Sequence, residues 1–259
     1  MQLAAMPISL RLPRFRQPRA AAPAPAAVAH PRSLLTLEQT ATDRRAVTPF
    51  IKTYAYSGDF INEEHAGFTT CATRYGMIDI GIEGWLLPAD ALKLYELAYF
   101  AEGDVLELGT YRGLSAAVIR RAIVASGRPR KLLSIDLDPG STRAGQAACS
   151  GQPGAGNVHF FNTSADEALT TFARAGRRFG LCFIDHSHTE ADVASACALL
   201  AGVLRPGAFC LFHDYNDPRN ADAGNQDYGV YQAVGRALLQ PPFAAWGVYG
   251  CCGLFRYEP

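Results

Sequence analysis

The chain has 259 residues, 49% hydrophobic and 19% charged, enough apolar material for one large core or two small ones, which excludes a chain disordered throughout. Lys+Arg and Asp+Glu each number 24, so no overall field favours nucleic acid, and a small molecule is the expected partner. No run approaches the ~20 apolar residues that a membrane-spanning helix needs, so no membrane partner is expected.

Residues 1–37 hold five arginines and no acid, which leaves 19 basic residues against all 24 acidic ones in the rest of the chain. Residues 1–32 are rich in Ala, Pro and Arg. Proline removes donors and blocks helix propagation, so a disordered tail is expected there. Organelle transit peptides share the acid-free, Arg-bearing character, but sparse serine and frequent proline weigh against that reading. Residues 33–87, with Trp85 and other aromatics, form an N-terminal extension expected either to cap a site or merely to pack.

A main domain is expected over 88–259. Pro88 opens a helix to Ala101, with Leu92, Leu94, Leu97 and Phe100 at roughly helical spacing. Short apolar runs then alternate with helical patterns. Val105–Leu108 precedes a helix near 114–125, Lys131–Asp136 one near 141–149, and Val158–Phe161 one at 165–175. Leu181–Ile184 precedes a helix at 190–203, and Ala208–Phe212 one at 227–239. Such strand-then-helix units predict an α/β, doubly wound, mostly parallel sheet covered on both faces. Ser164 with Glu167, and Thr189 with Asp192, have the spacing of helix N-terminal capping pairs. Trp246–Tyr249 and Leu254–Tyr257, divided by Gly-Cys-Cys-Gly, predict an antiparallel hairpin at the end. The seven cysteines form no Cys-x-x-Cys pair and several sit in apolar runs, which fits a reducing, cytoplasmic setting.

In open α/β sheets ligands bind beyond the carboxyl ends of the strands. The first strand runs into Glu107-Leu-Gly109-Thr-Tyr111-Arg-Gly113-Leu-Ser115. Its glycines allow close backbone approach, and the helix that follows offers N–H donors to an anion. The spacing is Gly-x-x-x-Gly rather than the Gly-x-Gly-x-x-Gly that cradles a dinucleotide pyrophosphate. A carboxylate or nucleoside is therefore favoured over NAD, although a plain tight turn explains the glycines as well. The second strand ends at Asp136, where a carboxylate can accept from both hydroxyls of a ribose or act as an ordinary turn former. The fourth delivers Asp185-His186-Ser187-His188 and the fifth His213-Asp214-Tyr215. One histidine after a strand is more often structural than a ligand. Two carboxylates and imidazoles at neighbouring strand ends, however, can converge on one cation.

At these residues the chain resembles the class I S-adenosylmethionine-dependent methyltransferases. Val-Leu-Glu107-Leu-Gly109-Thr-Tyr111-Arg-Gly113-Leu-Ser115 is similar to their first motif as written in catechol-type O-methyltransferases. Phe-Ile-Asp185-His-Ser-His188, Leu-Arg-Pro-Gly207 and Leu-Phe-His213-Asp214-Tyr215 resemble a bacterial branch with sugar O-methyltransferases and cephalosporin hydroxylase-like proteins. The resemblance covers about residues 80–257 and implies a seven-stranded Rossmann-like sheet. It further implies that Gly109, Tyr111, Gly113 and Ser115 surround the methionine part of the cofactor and that Glu107 belongs to the cofactor site. Asp136 would hold the ribose, Ser164 would lie beside the adenine, and His186 would flank the cofactor. Asp185, also counted in the cofactor site, and Asp214 would hold a divalent metal, and His188 occupies the general-base position. His213 stands where relatives often carry an acid. Mg²⁺ is the expected ion, while an imidazole ligand suits Mn²⁺, Fe²⁺ or Zn²⁺ better.

The expectation is thus a metal-assisted O-methyltransferase acting on a hydroxyl of a small metabolite, a sugar or a natural product. Its base would be a histidine of ordinary pKa, ~6.5. One rival is a metal-dependent hydroxylase or hydrolase built on Asp185, His188, His213 and Asp214, which leaves the glycine turn and Asp136 without a joint purpose. A second is a nucleoside-binding module without turnover. The acceptor lies beyond the sequence, because acceptor pockets are built from variable loops. A homo-oligomer stays open.

Overall fold

The computed structural model describes residues 60–73, 75–222 and 224–259. The tail expected at 1–32 lies outside them, as does the first part of the expected extension at 33–87. Seven strands form one sheet in the order β3-β2-β1-β4-β5-β7-β6. They are β1 (Val105–Leu108), β2 (Leu132–Asp136), β3 (Val158–Asn162), β4 (Phe179–Ile184), β5 (Leu204–Phe212), β6 (Phe243–Tyr249) and β7 (Cys252–Tyr257). The first five pair in parallel, while β7 runs antiparallel to both β5 and β6.

The helices are α1 (Glu63–Gly67), α2 (Pro88–Phe100), α3 (Leu114–Ala125), α4 (Pro139–Cys149), α5 (Ala165–Arg174), α6 (Glu190–Leu200) and α7 (Val230–Leu238). Successive side chains of a strand point to opposite faces. Val105, Leu132, Leu181, Phe183, Phe209 and Leu211 accordingly join one apolar cluster with α2 and α3. Leu106, Leu108, Leu133, Ile135, Cys182 and Cys210 join the other with α6 and α7. Because both faces are covered, β1 and β4 are buried along their whole length, β4 as an unbroken apolar run and β1 as one interrupted by Glu107.

Local chemistry sets the helix ends. Ser164 Oγ accepts from Glu167 N at 3.2 Å and Thr189 Oγ1 from Asp192 N at 3.2 Å. α4 begins earlier than the apolar pattern indicates, because Asp138 caps it by accepting from Gly140 N and Ser141 N. The C-terminus of α2 is closed by the buried Arg130 guanidinium, which donates to the carbonyls of Ala98, Ala101 and Tyr99 at 2.7, 2.7 and 2.8 Å.

Residues 60–73 and 75–87 attach to α2. Their anchor is His65, fully buried, whose Nδ1 accepts from Ile61 N at 3.1 Å while Nε2 faces Leu92 O at 2.9 Å. The first bond requires an unprotonated Nδ1, so Nε2 is the donor. Among the described residues all seven cysteines are free, and no helix is long and apolar enough to cross a membrane.

Candidate active site

The strand order reverses direction between β1 and β4, and there the loops after β1, β2, β4 and β5 meet over two adjoining clefts. One, of about 300 Å³, is lined by Gly109, Asp136, Leu137, Ser164, Asp166 and His186 among others. The other, of about 680 Å³, also includes Gly109, Asp136 and His186, and extends over Ser115, Asp185, His188, His213 and Asp214.

Three positive φ angles, at Gly109 (97°), Tyr111 (46°) and Gly113 (86°), curl the loop after β1. The curl aims Thr110 N and Tyr111 N at Asp136 Oδ2, at 2.8 and 3.0 Å. Asp136 therefore faces the glycine loop and holds it. Its Oδ1 accepts from Asp138 N at 2.8 Å. A carboxylate has about four acceptor positions. Three are taken, leaving room for one ribose hydroxyl where the sequence reading assigned two. Gly109 is required by contact as well as by φ, since a Cβ there would land on the Asp185 carbonyl.

Two residues expected around the cofactor line neither cleft. Gly113 serves helix packing: a Cβ on it would sit 2.8 Å from Gly145 Cα of α4. Glu107 lies under the loop, fully buried. Thr110 Oγ1 and Ser134 Oγ are 2.6 Å apart, and Ser134 donates to Glu107 Oε2, so the chain of donors runs Thr110 to Ser134 to Glu107. Burial pushes the Glu107 carboxyl up to about 8, against the opposing pull of bonds from Ser115 and Ser134. Ser115 and Tyr111 do line the larger cleft, with Tyr111 OH donating to Glu83 Oε1 at 3.1 Å. Ser164 and His186 meet in the smaller one. Burial pushes the His186 imidazole down, so at neutral pH it is uncharged.

Beyond His186 the residues ending β4 and β5 converge. His188 Nε2 lies 2.8 Å from Asp214 Oδ2 and 3.7 Å from Asp185 Oδ1. His213 Nδ1 lies 3.3 Å from Asp185 Oδ1 and 3.5 Å from Asp214 Oδ1. Asp214 itself takes a left-handed φ of 56°, which turns its carboxylate back over the sheet end. Hydrogen bonds that it donates to the Asp185 and Asp214 carboxylates push His188 up to about 9. At neutral pH, with no cation between the carboxylates, it holds its proton, which replaces the expected ordinary base of ~6.5. Burial acts against ionisation of Asp214, but the neighbouring His188 and His213 imidazoles outweigh it and hold the carboxyl far below the usual range.

Asp185, His188 and Asp214 each offer a ligand atom within 4.8 Å of the others, as do His213, Asp214 and Cys251. Oxygen and imidazole donors so spaced suit a divalent ion. His213 is 6% exposed, and neither ring nitrogen makes a hydrogen bond of ordinary geometry. A buried imidazole in that state has ligand capacity to spare, so the residues fit a metal.

Sequence reasoning missed Asp90 and Cys251. Asp90 reads as a first-turn acid of α2, yet it accepts from Leu87 N (2.8 Å) and Cys251 N (2.7 Å) and lies 3.7 Å from His213 Nε2. It missed Tyr228 too, whose ring stacks on His188 at 4.7 Å between centroids while the Arg219 guanidinium lies 3.8 Å from that ring. No local pattern marks these residues, because only the fold brings their segments to the end of β5.

Residues 106–215 match the family model of a methyltransferase domain. The chain has the fold that the motif resemblance implied, a seven-stranded, mostly parallel Rossmann-like sheet. Among solved structures it is similar to the O-methyltransferase TomG from Streptomyces achromogenes, solved with S-adenosylmethionine, at 18% identity and a TM-score of 0.56, over 76% of this chain and 91% of that one. Cofactor-bound Rv0187 from MTB gives 20% identity and a TM-score of 0.55, over 76% and 92%. An O-methyltransferase from Bacillus cereus gives 14% and 0.52, over 65% and 78%. No curated protein matches the sequence.

Proposed function

We propose that the chain transfers the methyl group of S-adenosylmethionine to a hydroxyl oxygen of a small metabolite, a sugar or a natural product, with a divalent cation held by Asp185 and Asp214. The observation that supports this most is the shared wall of the two clefts. Gly109, Asp136 and His186 line both, so a nucleoside gripped on one side ends beside the Asp185, His188 and Asp214 cluster on the other. The O-methyltransferase names of TomG and the Bacillus cereus protein agree with an oxygen acceptor.

Asp136 would accept from the ribose through Oδ1, Ser164 and His186 would border the adenine, and Gly109, Tyr111 and Ser115 would surround the methionine part. The cofactor supplies an electrophilic methyl on a positively charged sulfur. The cation, when held, lowers the pKa of an acceptor hydroxyl. A cation on the oxygens of Asp185 and Asp214 would compete with the two bonds that raise His188, which would free Nε2 to act as an acceptor. Nε2 can then take the acceptor's proton. Opposite charges vanish in the transfer, so water in the cleft opposes it. Met77, Trp85, Leu86 and Leu87, from the segment before α2, wall the larger cleft and exclude part of that water.

Calorimetric titration with S-adenosylmethionine, with and without divalent metal, tests the reading, followed by methyl transfer to a panel of hydroxylated acceptors. Micromolar cofactor binding is expected. His188→Ala should leave cofactor affinity within about twofold and lower kcat by at least about a hundredfold. No heat at millimolar cofactor refutes the proposal.

A further inference from the structure

The cation site has a donor that the motifs do not mention. Cys251, in the turn between β6 and β7, lines the larger cleft and places Sγ 3.2 Å from Asp214 Oδ1. His213, Asp214 and Cys251 offer nitrogen, oxygen and sulfur atoms all within 4.8 Å of one another. The second independent mark is His213, more than nine-tenths buried and without an ordinary hydrogen bond at either ring nitrogen. An imidazole kept in that condition beside a thiol is poorly placed for solvent and well placed for a soft or borderline cation.

We infer that Cys251 is a metal ligand, and that with His213 and Asp214 it makes the site selective for a thiophilic divalent ion of the Zn²⁺, Co²⁺ or Fe²⁺ kind over Mg²⁺. This rests on the reading of a cation between the ends of β4 and β5. On binding, the Cys251 S–H bond breaks, its proton passes to solvent, and the sulfur lone pair forms the bond to the cation, with no change of oxidation state. The other thiol within reach of His213 is Cys252, which with Asp90 forms a third candidate set. Cys252 is fully buried and lines neither cleft, so an ion has no open way to it. The backbone holds Cys251 in place, since its N–H donates to Asp90 Oδ1 at 2.7 Å. Gly250 permits that approach, because a Cβ there would land on the same oxygen.

The test is Co²⁺ titration of the full-length protein followed by absorption. A near-ultraviolet sulfur-to-cobalt charge-transfer band is expected, abolished in Cys251→Ser and kept in Cys252→Ser. Zn²⁺ should displace Co²⁺ near stoichiometry while a hundredfold excess of Mg²⁺ should not. Zn²⁺ affinity should fall on the order of tenfold or more in Cys251→Ser. Cys251→Asp supplies an oxygen instead and should bind Mg²⁺ better than the parent. No charge-transfer band, a band that survives Cys251→Ser, or a band lost in Cys252→Ser overturns the assignment. S-adenosylhomocysteine binding, measured by calorimetry on the same samples, separates the two levels. Its absence refutes the methyltransferase reading, whereas its presence without a thiolate band refutes only the role of Cys251.

Discussion

Glu107 is the residue whose position departs furthest from its motif. Glutamate at the end of β1 reads as a ligand group, but strand alternation turns it into the protein beneath the loop, where water cannot solvate a charge. Its pKa rises from the ordinary 4.5 to about 8. The unfolded chain therefore binds fewer protons than the folded one between those values, and stability falls as pH rises through that window. Glu107→Gln keeps the shape and cannot ionise. Thermal unfolding from pH 5 to 9 should show the parent losing a few kcal/mol, or on the order of 5–10 °C in Tm, relative to the variant. Parallel curves would mean that Glu107 ionises as an ordinary surface acid. Residues at the strand ends were legible because apolar runs stop there and polar ones begin. Glu107, Gly113, Asp90 and Cys251 show where that reading stops, since a motif gives order along the chain but not which side of a strand or which distant helix a side chain meets.

At the scale of elements, the run from β1 to β7 follows directly from alternation and from the punctuation of Gly, Pro and capping residues. The pairing of helices does not, because it depends on small residues whose purpose is contact. Gly145 lies within α4, where replacing glycine by alanine ordinarily stabilises by about 1 kcal/mol. Here the added methyl would run into the Thr110 side chain and sit 2.6 Å from Phe160 Cε1. Overpacking of that kind costs about 1–3 kcal/mol and would push on the loop that Asp136 holds. Gly235 in α7 is the control, with only Leu239 Cδ1 at 3.8 Å from such a methyl. Denaturant unfolding should therefore give opposite signs: Gly145→Ala less stable than the parent and weaker for S-adenosylhomocysteine, Gly235→Ala more stable by about 0.5–1 kcal/mol. Two changes of the same sign would show that the α4 contact relaxes freely.

Across the whole molecule, the segment before α2 has no strand in the sheet, yet it supplies one wall of the larger cleft. Its attachment runs through His65, whose pKa burial lowers from 6.5 to about 4, and whose ring sits 5.2 Å from that of Tyr95 in α2. A depressed histidine pKa means that the open or unfolded state takes up the proton first. The attachment is at full strength above pH 6.5 and weakens as pH falls from 6.5 to about 4. Because the anchor is local to this segment and the interior of β1 and β4 holds no histidine, acid should release residues 61–68 before it unfolds β1 and β4. Hydrogen exchange at pH 7 and pH 5, corrected for intrinsic rates, should show protection of Ile61–Phe68 falling on the order of tenfold or more while β1 and β4 stay protected. His65→Gln, neutral at both values, should remove the pH dependence of that opening. If the protection of both regions falls together, the segment and the sheet are one cooperative unit, and the wall of the cleft cannot open without the fold.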